Sequence, residues 1–149
     1  MYQSIKLGNL PALECLCDTG INLDNLRDNH GYSPITFAAK LGNLTIANYI
    51  SLRVKNIDDE DPEGLTAFSR EVLRHGFEQA SKYLQRSANI NFRNRDGKTT
   101  LTLALVSNNE SAVKFLLGKG AELHFEDLTG KDSCDYAKQS QVFTNYNVF

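Results

Sequence analysis

The sequence predicts a mainly α solenoid built from stacked units, each a β-hairpin turn followed by two helices. Three observations carry that prediction. Gly31, Gly64, Gly97 and Gly130 recur at intervals of 33 residues, and Ile57, Ile90 and Leu123 recur at the same interval. The text around the glycines repeats as well. Asp28-Asn29-His30-Gly31-Tyr32-Ser33-Pro34-Ile35 matches Asp61-Pro62-Glu63-Gly64-Leu65-Thr66-Ala67-Phe68, and two later copies begin at Asn94 and Asp127. Evenly spaced glycines alone could be chance, but matching neighbours on both sides are not.

The turn comes first in each unit. An Asp or Asn three residues before a glycine is turn chemistry, because glycine takes a positive φ that other residues resist. Two residues after the glycine stand Ser33, Thr66, Thr99 and Asp132, each placed to N-cap a helix. Pro34 follows at the first helical position, where its missing N–H costs nothing. The first helix buries one face, shown by Ile35, Ala38 and Ala39 and again by Leu101, Ala104 and Leu105 at i, i+3, i+4 spacing. Gly42 closes the first of these helices.

The second helix repeats as Ile46-Ala47-Asn48-Tyr49-Ile50, Ala80-Ser81-Lys82-Tyr83-Leu84 and Ala112-Val113-Lys114-Phe115-Leu116. Gly120-Ala121-Glu122-Leu123 ends a unit, echoed by Ser87-Ala88-Asn89-Ile90-Asn91. Over nearly the whole chain this resembles the ankyrin repeat family, with its Thr-Pro-Leu-His-like start and Gly-Ala-x-Val-Asn-like end. The family's histidine is absent, replaced by Thr36, Ser69, Thr102 and Asp135, which are suited to local backbone bonds. The unit at Gly64 departs furthest. It has Arg70-Glu71-Val72 where alanines are expected, and Gly76 lies 12 residues on rather than the 11 from Gly31 to Gly42. That spacing predicts one extra residue and the weakest helix pair of the stack.

One domain covers 1–149: a partial repeat at 1–24, repeats at 28–58, 61–91 and 94–124, and a partial repeat with a tail at 127–149. Met1 aligns with the interior of a first helix, as a terminal cap or a fragment of a longer protein would. Phe143, Tyr146 and Phe149 are read as sealing the end of the stack, with partner anchoring as the alternative.

Composition narrows the function. A net charge of -2 gives no clustered basic surface, so no nucleic-acid partner is expected. No apolar run approaches the ~20 residues of a membrane helix. Three cysteines without a disulfide framework fit a reducing, cytoplasmic setting, with the nucleus and cytoskeleton left open. His30, His75 and His124 show no ligand spacing, and no phosphate-loop or nucleophile-elbow motif occurs, so no catalytic residue, cofactor or metal is expected. Cys15, aligned with Tyr49, and Cys134, aligned with Ile35, read as core hydrophobes. Asp58-Asp59-Glu60-Asp61-Pro62-Glu63 forms an acidic finger beside a basic one carrying Arg93, Arg95 and Lys98, read as offsetting surface charge.

The resemblance implies a non-catalytic scaffold or adaptor that binds a protein on a concave face, as a monomer or within a hetero-complex. The alternatives are a structural subunit of a large assembly and a regulatory module of a longer protein. The hairpin tips carried over are His30, Tyr32, Glu63, Leu65, Asp96, Lys98, Thr129 and Lys131. The helix-end positions are Lys40, Leu41, Leu73, Arg74, Val106 and Ser107. Tyr32, Leu41, Leu65, Leu73 and Val106 are expected to be apolar side chains standing in water.

Overall fold

The computed structural model describes residues 1–140. The tail aromatics Phe143, Tyr146 and Phe149 lie outside the described residues. Helices pair in succession: α1 (Tyr2–Lys6) with α2 (Leu10–Asp18), α3 (Pro34–Leu41) with α4 (Leu44–Ser51), then α5 (Ala67–Leu73) and α6 (Phe77–Gln85). After these come α7 (Thr100–Val106), α8 (Glu110–Gly118) and a single α9 (Ser133–Gln139). The residues divide into two compact units, one of 1–71 with 78–88 and the other of 72–77 with 89–140. In the first, α3 packs on α4 and on α1, and in the second α7 packs on α8 and on α9.

The turns are built alike in all four copies. Each closes with two backbone bonds: the glycine N–H donates to the Asx O, and the Asx N–H donates to the residue after the glycine, Asp28 to Tyr32 O, Asp61 to Leu65, Asn94 to Lys98 and Asp127 to Lys131, all at 2.8–3.0 Å. The same Asx side chain accepts from the second and fourth backbone N–H beyond it, as Asp61 does from Glu63 and Leu65 at 2.8 and 3.0 Å. The hairpin is thus a tight Asx turn, and no β-strand forms among the described residues. Gly97 shows why glycine is needed there. Its φ is +77°, and a Cβ would sit 3.0 Å from Asp127 Cα and Leu128 N.

The apolar faces sit where the periodicity put them. Ile35, Ala38, Ala39, Leu101, Ala104 and Leu105 are all buried. Thr66, Thr99 and Asp132 cap their helices through the side chain, Asp132 with a full capping box. Ser33 does not: its Oγ turns instead to Thr36 Oγ1 at 3.0 Å. Hydroxyls fill the place of the family's histidine. Thr36 and Ser69 donate to the carbonyls of Ser33 and Thr66, and Thr102 Oγ1 lies 3.3 Å from Ser133 Oγ of the next copy.

The middle copy corrects the sequence reading, because it holds no extra residue. Gly42, His75 and Asn108 stand 33 apart, and each closes its first helix in the left-handed region, at φ 72°, 68° and 52°. Gly76 therefore occupies the slot of the following Asn, and His75 does the glycine's work at some strain. The register of α6 shifts with it. Tyr83 stands where Ile50 and Leu116 stand, and all three are buried. Gln79 takes the place of the buried Ile46 and Ala112.

That shift also explains Cys15. Its position is that of the half-buried Tyr49, not of the core Tyr83, and the thiol is exposed rather than packed. Cys134, on α9, is half-buried rather than packed in the core.

Candidate protein-binding surface

In the first unit the turn tips hold one another. Tyr32 Oη donates to Glu63 Oε1 at 2.5 Å, and Lys40 Nζ donates to both Tyr32 Oη and Glu63 Oε1, at 2.5 and 3.0 Å. From the other side Arg70 reaches Glu63 Oε2 at 3.0 Å and also donates to Asp61 Oδ2, a carboxylate fully removed from water. Hydrogen bonds from Tyr32, Lys40 and Arg70, in that order, hold the Glu63 carboxyl down at about 2. Asp59 pairs with Arg27 at 2.9 Å. Three carboxylates of the acidic finger are thus met by Arg27, Lys40 and Arg70.

This geometry removes Tyr32 from the set of wet anchors. It is only 5% exposed, its ring lies under the Lys40 ammonium at 4.1 Å, and its carbonyl accepts from Tyr2 Oη at 2.8 Å. Leu65 is half-buried. Turn closure pulls both in, because the residue after the glycine must fold back to bond the Asx. Leu41 stays out at 45% exposure, and His30 is exposed at the tip.

In the second unit the tips are similarly engaged. Asp96 O accepts from Leu128 N–H at 3.0 Å, and Thr129 Oγ1 donates to Asp127 at 2.6 Å. Tyr136 Oη donates to the other Asp127 oxygen at 2.5 Å, and these hydroxyl bonds hold the Asp127 carboxyl far below the usual carboxylate range. Lys98 and Lys131 each place Nζ 5.7 Å from the Tyr136 ring.

The open surface of this unit lies at the helix ends. A shallow cleft of about 520 Å³ is lined by Leu73, His75, Leu103, Ser107, Asn108, Asn109, Glu110 and Ser111. A second cleft of about 240 Å³ shares Asn108 and is lined by Leu105, Val106, Tyr136, Gln139 and Ser140. Val106 is 52% exposed, and the neighbouring Ser107 and Arg74 are exposed. Asn109 builds the floor: it caps α8 through Oδ1, receives Ala112 N–H at 3.1 Å, and gives Nδ2 to Leu73 O at 2.9 Å. His75 Nε2 stands 3.0 Å from the same Asn109 Oδ1. Phe77 stacks on Phe115 with centroids 4.7 Å apart, fixing 72–77 against α8.

Of the fourteen residues the sequence singled out, the structure gathers Leu73, Val106 and Ser107 around these adjoining clefts. Lys40 and Glu63 meet Tyr32 in the first-unit network instead. The sequence reading missed Asn109, Asn108 and His75. Their signal was present as the 33-residue echo of Gly42-Asn43, hidden by following glycine rather than the left-handed position.

Comparison with known proteins agrees with this geometry. The family model for ankyrin repeats, in three copies, matches residues 50–127. An ankyrin repeat protein of Acanthamoeba polyphaga mimivirus is 26% identical over 133 residues, covering 86% of this chain and 17% of its own length. A second from the same virus is 30% identical over 152 residues, covering 95% of this chain and 36% of its own. The mouse ankyrin repeat and SAM domain-containing protein 6 is 26% identical over 110 residues, 72% of this chain and 12% of that one. The chain thus spans well under half the length of these relatives. Ankyrin repeats serve generally as protein–protein interaction modules and are typically non-enzymatic. With matching turns, caps, helix pairs and period, the chain belongs to the ankyrin repeat family.

Proposed function

We propose that this chain is a non-catalytic scaffold or adaptor module that captures a protein partner at the exposed ends of its first helices. The observation that carries this reading is the pair of adjoining clefts around Asn108, where Leu73 and Val106 offer apolar surface beside polar Ser107 and Asn109. Apolar anchors ringed by hydrogen-bonding groups are what a protein interface centre requires. Among the described residues no helix is long and apolar enough to cross a membrane.

The test begins with affinity capture from a cell extract and continues with titration of the recovered protein. Val106→Asp should weaken capture tenfold or more, about 1.4 kcal/mol per decade. Its stability should stay within roughly 0.5 kcal/mol of the parent, as for other exposed positions. Full affinity in both Val106→Asp and Leu73→Ala would reject this surface.

A further inference from the structure

Beyond protein binding, we infer that His124, Asp132 and Cys134 form a three-donor site for a zinc-class divalent cation. One imidazole nitrogen, one carboxylate oxygen and one sulfur lie within 4.8 Å of one another, and His124 Nδ1 stands 2.9 Å from Asp132 Oδ2. These donors lie on either side of a turn, so spacing along the chain does not announce them. The backbone brings them together: Ser133 N–H donates to Leu123 O at 3.1 Å, pinning the strand of chain before His124 to the start of α9.

The donor set suits zinc. A borderline-soft ion takes nitrogen, oxygen and sulfur together, with a water in the fourth tetrahedral place. Bonds of about 2.0–2.3 Å put the donors about 3.3–3.8 Å apart, so the widest separation closes by up to about 1 Å while the His124–Asp132 pair opens slightly. His124 can supply that movement, because its side chain is 78% exposed. Asp132 is already aimed: its Oδ1 accepts from Asp135 N–H at 3.0 Å within the capping box, which leaves Oδ2 for the ion. A free thiol carries its proton near neutral pH, and the ion displaces it on binding. Binding forms the nitrogen–, oxygen– and sulfur–metal bonds and breaks the His124–Asp132 hydrogen bond; the Nδ1 proton passes through solvent to Nε2, leaving Nδ1 free to ligate, and the thiol proton is released to solvent. The ion then clips 124 to α9 and stabilises the native state by mass action.

Cobalt(II) titration of the full chain under a non-thiol reductant tests this. The parent should show a thiolate-to-cobalt charge-transfer band and a melting temperature raised by zinc. Cys134→Ser should abolish the band and the shift, while Cys15→Ser and Cys17→Ser, at the other end of the chain, should keep both. His124→Ala, at an exposed position, should weaken cobalt at least tenfold without unfolding the chain. No band in the parent, or a band that survives in Cys134→Ser, overturns the site. Unchanged affinity in His124→Ala overturns the three-donor assignment.

Discussion

At the scale of single residues, the Asx-turn positions bind stability to charge and to backbone shape. Glu63 has an ordinary pKa of 4.5 and is held at about 2 in the fold. A depressed carboxyl contributes stability that is full above the unfolded value and is lost as pH falls towards the folded one. The side chain is 47% exposed, so solvent screens the gain and it stays small. Urea titrations of the parent and Glu63→Gln should therefore differ most near about pH 6 and converge only as pH falls to about 2. A gap that widens in acid contradicts the network. Glycine positions separate strain from crowding. Gly130 has φ +76° but nothing within 4 Å of an added Cβ, whereas Gly97 has φ +77° and backbone atoms at 3.0 Å. Gly130→Ala should cost about 1–2 kcal/mol for the left-handed backbone alone. Gly97→Ala should cost more, by roughly a further 1–3 kcal/mol of overpacking, read as the difference between two chemical denaturation curves. Equal costs would show that the turns yield freely.

At the scale of elements, most of the helix pairing was legible because period, turn and apolar face repeat together. What was not legible came from substitutions that keep a backbone role while changing its residue type. His75 takes the left-handed position of Gly42, and Gly76 takes the capping position of Asn43, so the pair reads as a displaced glycine. The same exchange hid the true places of Tyr83 and Cys15. Burial of Tyr32 was hidden differently, since the groups that hold its hydroxyl, the donor Lys40 and the acceptor Glu63, come from other elements. The exchange leaves α6 with a poor start. Where Asn43 and Asn109 accept from Ile46 and Ala112 N–H at 3.1 Å, Gly76 has no side chain to offer. Gln79 Oε1 adds a buried oxygen with no hydrogen-bond partner among the described residues. Hydrogen exchange should find the amides of α5 and α6 less protected than those of α7 and α8. Gly76→Asn should raise α6 protection and stability by a few tenths of a kcal/mol, the usual gap between glycine and asparagine caps. The prediction fails if α5 and α6 are the better protected pair.

At the scale of the whole molecule, each compact unit draws on both sides of the middle copy. The chain passes between units at 71/72, at 77/78 and at 88/89, so neither unit is one continuous segment. The second unit consists of 89 onwards together with 72–77, and what those six residues bring to it is specific. Leu73 O receives Asn109 Nδ2 at 2.9 Å, His75 stands on Asn109 Oδ1, and Phe77 stacks on Phe115 at 4.7 Å. Val72 is fully buried. A fragment of 89–149 loses all of these contacts at once. The loss of one stacked aromatic and one buried aliphatic alone costs several kcal/mol, on the order of 3–5 for a phenylalanine. Native domains hold only about 5–15 kcal/mol in total, and a chain of this length sits near the lower end. The fragment should therefore show little cooperative unfolding, while a fragment extended back to 67 should recover a sharp transition. Circular dichroism melts of the two fragments make the comparison. In the intact chain, Phe77→Ala should lower protection in α8 more than in α4, because Phe77 belongs to the unit that contains α8. A cooperative melt of 89–149 equal to that of the longer fragment would show that the middle copy contributes nothing to its neighbour.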